Sequence, residues 1–314
     1  MHELPWLPDP LADYNEKCSQ LGTGLFNIAS LRTLVNCKLS INQSNRLYRE
    51  INKRPPEEIE KLKSKFSCFK LGLVSNSTID LFIPSFFTSA LRHGIFIEVV
   101  SADFGQIIQE ALEPESLINQ AEVDVVLLAL DYRAFPFAAG SVAMAAAGQG
   151  SSDALAYLTT IRDGFQKNSG AICILQSLVT PPFSVLGNLD AQLDGTLRKE
   201  IAEFNAGLIQ ETKTSSDLLL DVNTMANLLG VYDWFDERQW YMSRVPMANK
   251  FIPFYAEQVS RLLAAIRGKS KKCLVLDLDN TLWGGVIGDD GLERIRIGQG
   301  HPVGESFLAI QQYA

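Results

Sequence analysis

Residues 123–131 read VDVVLLALD, an apolar run that a single aspartate interrupts near its start and another closes. A strand that is apolar without alternation is typical of a parallel sheet whose two faces are both covered. Similar short runs that are separated by segments with helical spacing occur at CFKLGLVS (68–75), IFIEVVS (95–101), AICILQS (171–177) and DLLLDV (217–222). This alternation predicts a doubly wound α/β domain with a parallel sheet over residues 67–268.

The flanks of this domain differ from it in pattern. Residues 1–66 show weak helical spacing and end in a double proline with a charge run, which predicts an N-terminal helical extension and linker. The run rich in small residues over 135–152 predicts a loop. At 271–314 a second strand-led unit begins with KKCLVLDLDNT, and we expect Cys273 to lie in its core.

Composition excludes several classes of protein. The 314 residues carry a net charge of −8, which disfavours binding to nucleic-acid phosphates. Five cysteines without CxxC spacing argue against a disulfide framework or a zinc site. No apolar run is long enough to span a membrane, and the N-terminus lacks the pattern of a signal peptide. A soluble cytoplasmic protein is the expectation.

Two carboxylates define the first candidate site. The apolar run CLVLD would deliver Asp277 to the carboxyl end of a strand, and Asp279 follows two residues later. One carboxylate can attack phosphorus while the other acts as acid and base. Clustered negative charge near a phosphate calls for Mg²⁺. A turn-capping role is the structural alternative, whereas a calcium loop is excluded because Leu282 and Gly288 stand where its glycine and glutamate belong.

The stretch LVLDLDNTLWGGVIGDDGLERIRIG (274–298) resembles the first motif of the haloacid dehalogenase superfamily, and LDLDNTLWGG resembles its FkbH-like branch. Segments of 67–268, including SNSTIDLFIPSFF and WFDERQWYMSRVP, resemble the SGNH hydrolase-like domain that precedes the phosphatase domain in that branch. The resemblance implies an SGNH/flavodoxin-like sheet followed by the start of a second, Rossmann-like domain at 271–314.

The resemblance also implies an activity. FkbH-like proteins take a glyceryl unit from a phosphorylated glycerate, remove phosphate and load the unit as a thioester on an acyl carrier protein. Asp277 would be the nucleophile and a Mg²⁺ ligand. Asp279 would be the acid/base and bind Mg²⁺ through its backbone carbonyl, while Thr281 would steady the turn. The family's later catalytic motifs do not occur within 286–314, so the expectation is a C-terminally truncated chain with little activity.

A second candidate site follows the first predicted strand. Ser75, Asn76 and Ser77 occupy the place of the nucleophile turn in SGNH hydrolases, and Asp131 would end a strand at the same sheet edge. A serine esterase using Ser77 needs a histidine base. The histidines are His2, His93 and His301, and none occurs late in the domain where that family supplies its base.

Two alternatives to catalysis stay open from the sequence. The three turn residues can cap the following helix, or a degenerate cleft can bind a ligand such as the carrier protein's arm. The aromatic segment 233–244 either seats a ligand or plugs the sheet edge, and residues 131–133 either line a cleft or leave the strand into solvent. The hypotheses are therefore a phosphatase/glyceryl transferase, a carrier-protein-binding module and a serine esterase.

Overall fold

The computed structural model describes residues 4–23, 27–137 and 149–314. The chain divides into two compact units, Met1–Gly268 and Lys269–Ala314. Residues 138–148 of the predicted loop lie outside the described residues. Among the described residues, no helix is both long and apolar enough to cross a membrane.

A parallel sheet forms the centre of the first unit, as the apolar runs predicted. In the described part of the chain it has five strands in the order β2-β1-β3-β4-β5, with every neighbouring pair parallel. The strands are β1 (Ser67–Ser75), β2 (Ile95–Ser101), β3 (Val125–Ala129), β4 (Ile172–Gln176) and β5 (Leu218–Leu220). This is the flavodoxin-like strand order, which reverses direction between β1 and β3.

Helices cover both faces of the sheet. In the first unit they are α1 (Tyr14–Thr23), α2 (Ile28–Val35), α3 (Ile41–Asn52), α4 (Pro56–Lys63), α5 (Ile83–Arg92), α6 (Ile107–Leu112), α7 (Leu117–Gln120), α8 (Gln149–Ser169), α9 (Leu197–Thr214), α10 (Val222–Leu229), α11 (Val231–Trp234), α12 (Glu237–Ser243) and α13 (Ile252–Ile266). The second unit holds α14 (Ile287–Asp290) and α15 (Pro302–Tyr313).

Side chains alternate between two core layers along each central strand. On β3, Val125 and Leu127 join the layer that contains α5 and α13. Val126 and Leu128 join the layer that contains α8 and α9. Because successive side chains of a strand point to opposite faces, a run apolar at every position is what a sheet covered on both sides requires.

The N-terminal helices belong to the first of these core layers. Helix α3 begins in a capping box, where the Ser40 hydroxyl accepts from the Gln43 N–H and the Gln43 side chain accepts from the Ser40 N–H. Its buried face contributes Leu47 and Ile51 to the core that Phe69 of β1 also enters. Residues 1–66 therefore share a core with the sheet.

A buried carboxylate joins three parts of that layer. Glu257 of α13 is 1% exposed and accepts from Ser89 Oγ at 2.6 Å and Arg92 Nη1 at 2.5 Å. His93 Nε2 and Arg261 Nε lie 3.0 Å from its other oxygen. Burial alone would raise the pKa of Glu257, but the His93 hydrogen bond and the Arg92 charge outweigh it and lower the pKa to about 2. Arg92 also donates to the Val35 and Cys37 carbonyls, which ties α5 to the N-terminal helices.

The second unit lacks the strand expected at 273–277. Residues 269–278 are in no strand, and Leu274, Val275 and Leu278 are 66%, 87% and 51% exposed. Cys273 is exposed as well, so its placement in a core was wrong. A strand needs neighbours that pair its N–H and C=O groups. The described residues of this unit form only isolated bridges, so the apolar run has no strand to pair with.

Candidate functional site

The end of β1 and the end of β3 meet at one edge of the sheet. Ser75 is the last residue of β1 and pairs with Ala129, the last residue of β3. Ser77 and Asp131 follow these ends, so the predicted cleft residues lie together where the strand order reverses. In open α/β sheets this is the position of ligand crevices.

Two serine hydroxyls at this edge are hydrogen-bonded to each other. Ser75 Oγ and Ser77 Oγ lie 2.8 Å apart, and both residues are buried. Ser75 Oγ donates its hydrogen to the Ala129 carbonyl at 2.8 Å and accepts from the Ser77 N–H at 3.1 Å. The Ser77 hydroxyl must therefore donate to Ser75, which directs its proton toward the Ser75 hydroxyl oxygen rather than toward a base.

Asn76 and Asp131 form a reciprocal pair across the two strand ends. Asn76 Nδ2 donates to Asp131 Oδ1 at 2.8 Å, and the Asp131 N–H donates to Asn76 Oδ1 at 3.0 Å. Arg133 completes the pair by donating from its backbone N–H and from Nη1 to the two carboxylate oxygens. With every acceptor engaged, this cluster fixes the loop that follows β3, and Asp131 is a structural anchor as well as a cleft residue.

Aromatic rings surround the Arg133 guanidinium. Its central carbon lies 3.9 Å from the ring centre of Trp240 and 4.5 Å from that of Tyr132. Burial raises the pKa of Tyr132, an effect that the charge of Arg133 opposes. The Thr78 N–H donates to the Arg244 carbonyl at the end of α12, so a backbone hydrogen bond joins α12 to the serine turn.

The aromatic segment closes most of the cleft. Trp234 is 2% exposed and stacks on Phe251 with ring centres 5.7 Å apart. The space left between this segment and the ends of β3 and β4 is a pocket of about 30 Å³, lined by Asp131, Gln176 and Phe235 among others. A pocket of this size has room for only a few water molecules. Of the two readings of segment 233–244, the geometry favours the plug.

Histidines of the described chain have partners other than Ser77. His93 Nε2 lies 3.0 Å from Glu257 Oε1, and His301 Nδ1 accepts from the Val303 N–H at the start of α15. His2 lies outside the described residues. No described histidine is hydrogen-bonded to the serine pair, so the described chain shows no general base at Ser77.

The predicted phosphatase residues lie in the second unit. Asp277 is exposed, and its Oδ1 accepts from the Leu278 N–H at 2.9 Å. Asp279 is half-buried, and its Oδ1 accepts from Trp283 Nε1 at 3.0 Å and from the Ile287 N–H at 3.3 Å. Thr281 lies in the turn that begins at Leu278, whose carbonyl accepts from the Thr281 N–H at 3.2 Å.

The segment DNTLWGG (279–285), which begins at Asp279, forms a small closed loop. Asn280 adopts φ 54°, and its side chain and backbone N–H bond to the Gly285 N–H and carbonyl respectively. Gly285 has φ 108°, which side chains rarely tolerate. A Cβ on Gly284 would meet Phe307 at 2.9 Å, so only glycine fits there without a shift.

Trp283 donates a hydrogen bond to Asp279, a contact that was not predicted from the sequence. The signal was its position four residues after Asp279, a spacing that lets a turn fold one side chain back on the other. An indole N–H is a donor only, and a carboxylate oxygen is the partner it finds here.

The donor set of this loop fits Mg²⁺ in chemistry. Two carboxylates and the Asp279 carbonyl are hard oxygen ligands, and Mg²⁺ commonly takes one or two protein carboxylates with water and substrate phosphate. Among the described residues no group of three or more histidine, cysteine, aspartate or glutamate side chains is placed to hold a metal, which argues against an all-protein cage.

Comparison with solved structures gives a strong likeness of fold. It is the crystal structure of the N-terminal part of the protein BF1531 from Bacteroides fragilis, which contains a phosphatase domain and is complexed with Mg. The likeness has a TM-score of 0.76 at 20% identity and covers 88% of this chain and 69% of that one. Salicylyl-acyltransferase SsfX3 from a tetracycline biosynthetic pathway gives a TM-score of 0.34 at 14% identity over 63% of this chain and 55% of that one, too low to indicate a shared fold.

No protein-family model matches the chain, and no curated protein matches it either. The solved structure therefore identifies the architecture alone. The chain has the parallel α/β fold of a protein part that contains a phosphatase domain.

Proposed function

We propose that the chain carries the nucleophile and the acid/base of a magnesium-dependent phosphatase and acyl transferase of the FkbH-like type. Its substrate would be a phosphorylated glycerate whose carboxyl is activated as an acyl phosphate: the carrier protein's thiol would attack the acyl carbon, the bond from that carbon to the phosphate oxygen would break, and the glyceryl unit would pass as a thioester to the acyl carrier protein with release of phosphate. The observation that carries the proposal is the seating of Asp279, held by two N–H donors two residues after an exposed Asp277. The fold likeness to a phosphatase-domain structure complexed with Mg supports it.

The roles follow from the two carboxylates. An Asp277 oxygen attacks phosphorus, the bond from phosphorus to the substrate oxygen breaks, and the leaving oxygen takes a proton from Asp279. Water then loses a proton to Asp279, attacks the aspartyl-phosphate and restores Asp277 with release of phosphate. Asp277 and the carbonyl of Asp279 would hold Mg²⁺, which supplies charge neutralisation for the carboxylates and phosphoryl oxygens.

Metal binding and phosphate release test the proposal together. Asp277→Asn should abolish Mn²⁺ binding measured by electron paramagnetic resonance and lower phosphate release at least about a thousandfold. Asp289→Asn is the matched control, because Asp289 is an exposed acid of the same unit outside the loop that holds Asp279. Release is measured on residues 1–314 and, where the reading frame continues past Ala314, on the longer product. Unchanged Mn²⁺ affinity in Asp277→Asn would overturn the proposal.

A second candidate function is non-catalytic docking of an acyl carrier protein by the first unit. The serine pair, whose Ser77 proton is already directed to Ser75, argues against esterase chemistry at this edge and leaves a binding role for the unit. Calorimetric titration of residues 1–268 with carrier proteins from the same gene cluster tests it. Absence of heat with every such carrier removes this candidate.

A further inference from the structure

The Asp279 carboxylate is held on one side only. Both N–H donors that reach it, Trp283 Nε1 and the Ile287 backbone, bond to the same oxygen, Oδ1. An sp² oxygen that accepts two hydrogen bonds has little capacity left for a third partner. Proton transfer by the Asp279 carboxyl therefore falls to Oδ2.

The loop around Trp283 is built to keep the indole in place. Asp279 and Trp283 form a backbone bridge, and the Asn280–Gly285 clasp closes the chain between them. Gly284 exchanges two backbone hydrogen bonds with Arg296, at 3.0 and 2.7 Å. The indole is thus carried by a backbone fixed at several points, and its N–H is the one part of the side chain that contacts a candidate catalytic group.

We propose that Trp283 is a positioning residue for Asp279, and that its indole N–H holds Oδ1 so that Oδ2 carries the transferred proton while the Asp279 backbone carbonyl is kept in place for the cation. This inference rests on the proposed function and adds to it the device that orients the acid/base. Since Asp279 would hold Mg²⁺ through its backbone carbonyl, a hydrogen bond that fixes this residue also fixes the ligand, and loss of such supporting bonds typically costs 10- to 100-fold in metal affinity.

The test removes the indole N–H of Trp283 while keeping an aromatic ring at that position. Trp283→Phe is expected to weaken Mn²⁺ binding about tenfold, measured by electron paramagnetic resonance on residues 1–314. Trp6→Phe is the matched control, because it makes the same substitution in the first unit, where Trp6 packs on Phe254. Circular dichroism must show unchanged secondary structure for both variants.

A second readout uses the native residue. The chain has four tryptophans, so its ¹⁵N spectrum holds four indole signals. The signal that disappears in Trp283→Phe is that of the Trp283 indole. Addition of Mg²⁺ should shift that signal in the wild type and leave it unmoved in Asp277→Asn. A merely structural tryptophan would not respond to the cation.

The outcomes separate the two claims. If Asp277→Asn binds Mn²⁺ as the wild type does, the proposed function fails. If Asp277→Asn loses binding while Trp283→Phe binds with wild-type affinity, or the Trp283 signal ignores Mg²⁺, the positioning role is refuted and the proposed function stands.

Discussion

Replacing Glu257 by glutamine removes the charge at the centre of a buried network. The carboxylate accepts hydrogen bonds from Ser89, Arg92 and Arg261 and contacts His93. Its pKa falls from 4.5 to about 2 in the folded chain, and since each tenfold change in proton affinity is about 1.4 kcal/mol, ionisation favours the folded state by roughly 3 kcal/mol. Removing one partner of a buried ion pair costs about 3–5 kcal/mol, which agrees.

The expected loss at neutral pH is therefore about 3 kcal/mol in the free energy of unfolding of the first unit. For a unit of this size that corresponds to a fall in Tm of about 6–12 °C. Urea unfolding followed by tryptophan fluorescence measures it, because Trp234 is buried against Phe251 in the same unit. Glu57→Gln, at an exposed position in the first turn of α4, is the control and should change stability little.

The pH dependence gives the sharper test. A carboxyl whose folded pKa is depressed contributes stability that is complete above its unfolded pKa, near 4.5, and is lost as pH falls toward about 2. The gap between wild type and Glu257→Gln should hold from pH 7 to about 5 and then close. A gap below about 1 kcal/mol at pH 7, or one that is the same at pH 7 and pH 2.5, would refute the reasoning.

Three further predictions follow from the edge of the sheet and from the exposed run before Asp277. Asp131→Asn should lower the free energy of unfolding by about 1–3 kcal/mol, because it leaves the half-buried Arg133 without its anion, and urea unfolding at wild-type midpoint would contradict this. A fluorophosphonate probe should leave Ser77 unlabelled in mass spectra, since its proton goes to Ser75; a labelled Ser77 would restore the esterase hypothesis. Val275→Lys should reduce concentration-dependent light scattering by placing a charge in an exposed apolar stretch, and equal scattering from both proteins would count against self-association there.

The sheet was predictable because strands buried on both faces leave a signal that is local. An unbroken apolar run such as 123–131 reports its own burial, and the helices between such runs imply parallel pairing. The same rule failed at 273–277. Apolarity states that a segment prefers burial, but pairing depends on strands elsewhere, and the described residues of the second unit offer none.

The cleft at the ends of β1 and β3 was predictable in location and not in detail, whereas the strand expected to carry Asp277 does not form. Shared sheet edges placed Ser77 near Asp131, whereas the Asn76–Asp131 pair depends on β1 and β3 being neighbours, which no short stretch of sequence encodes. The Glu257 network joins residues more than 160 positions apart, so it has no local pattern at all. Trp283 was within reach, because its partner lies only four residues away.

The sharing of one core by residues 1–66 and the sheet sets where an expression fragment can begin. A fragment starting at residue 67 would leave the guanidinium of Arg92 without the Val35 and Cys37 carbonyls and would uncover the face of α5 against which α3 packs. Such a fragment would expose an apolar surface and aggregate. Dissection of the first unit should therefore keep the chain from Leu4 onward, because Leu4 is buried in the same core, and cut after Gly268, where the compact unit ends.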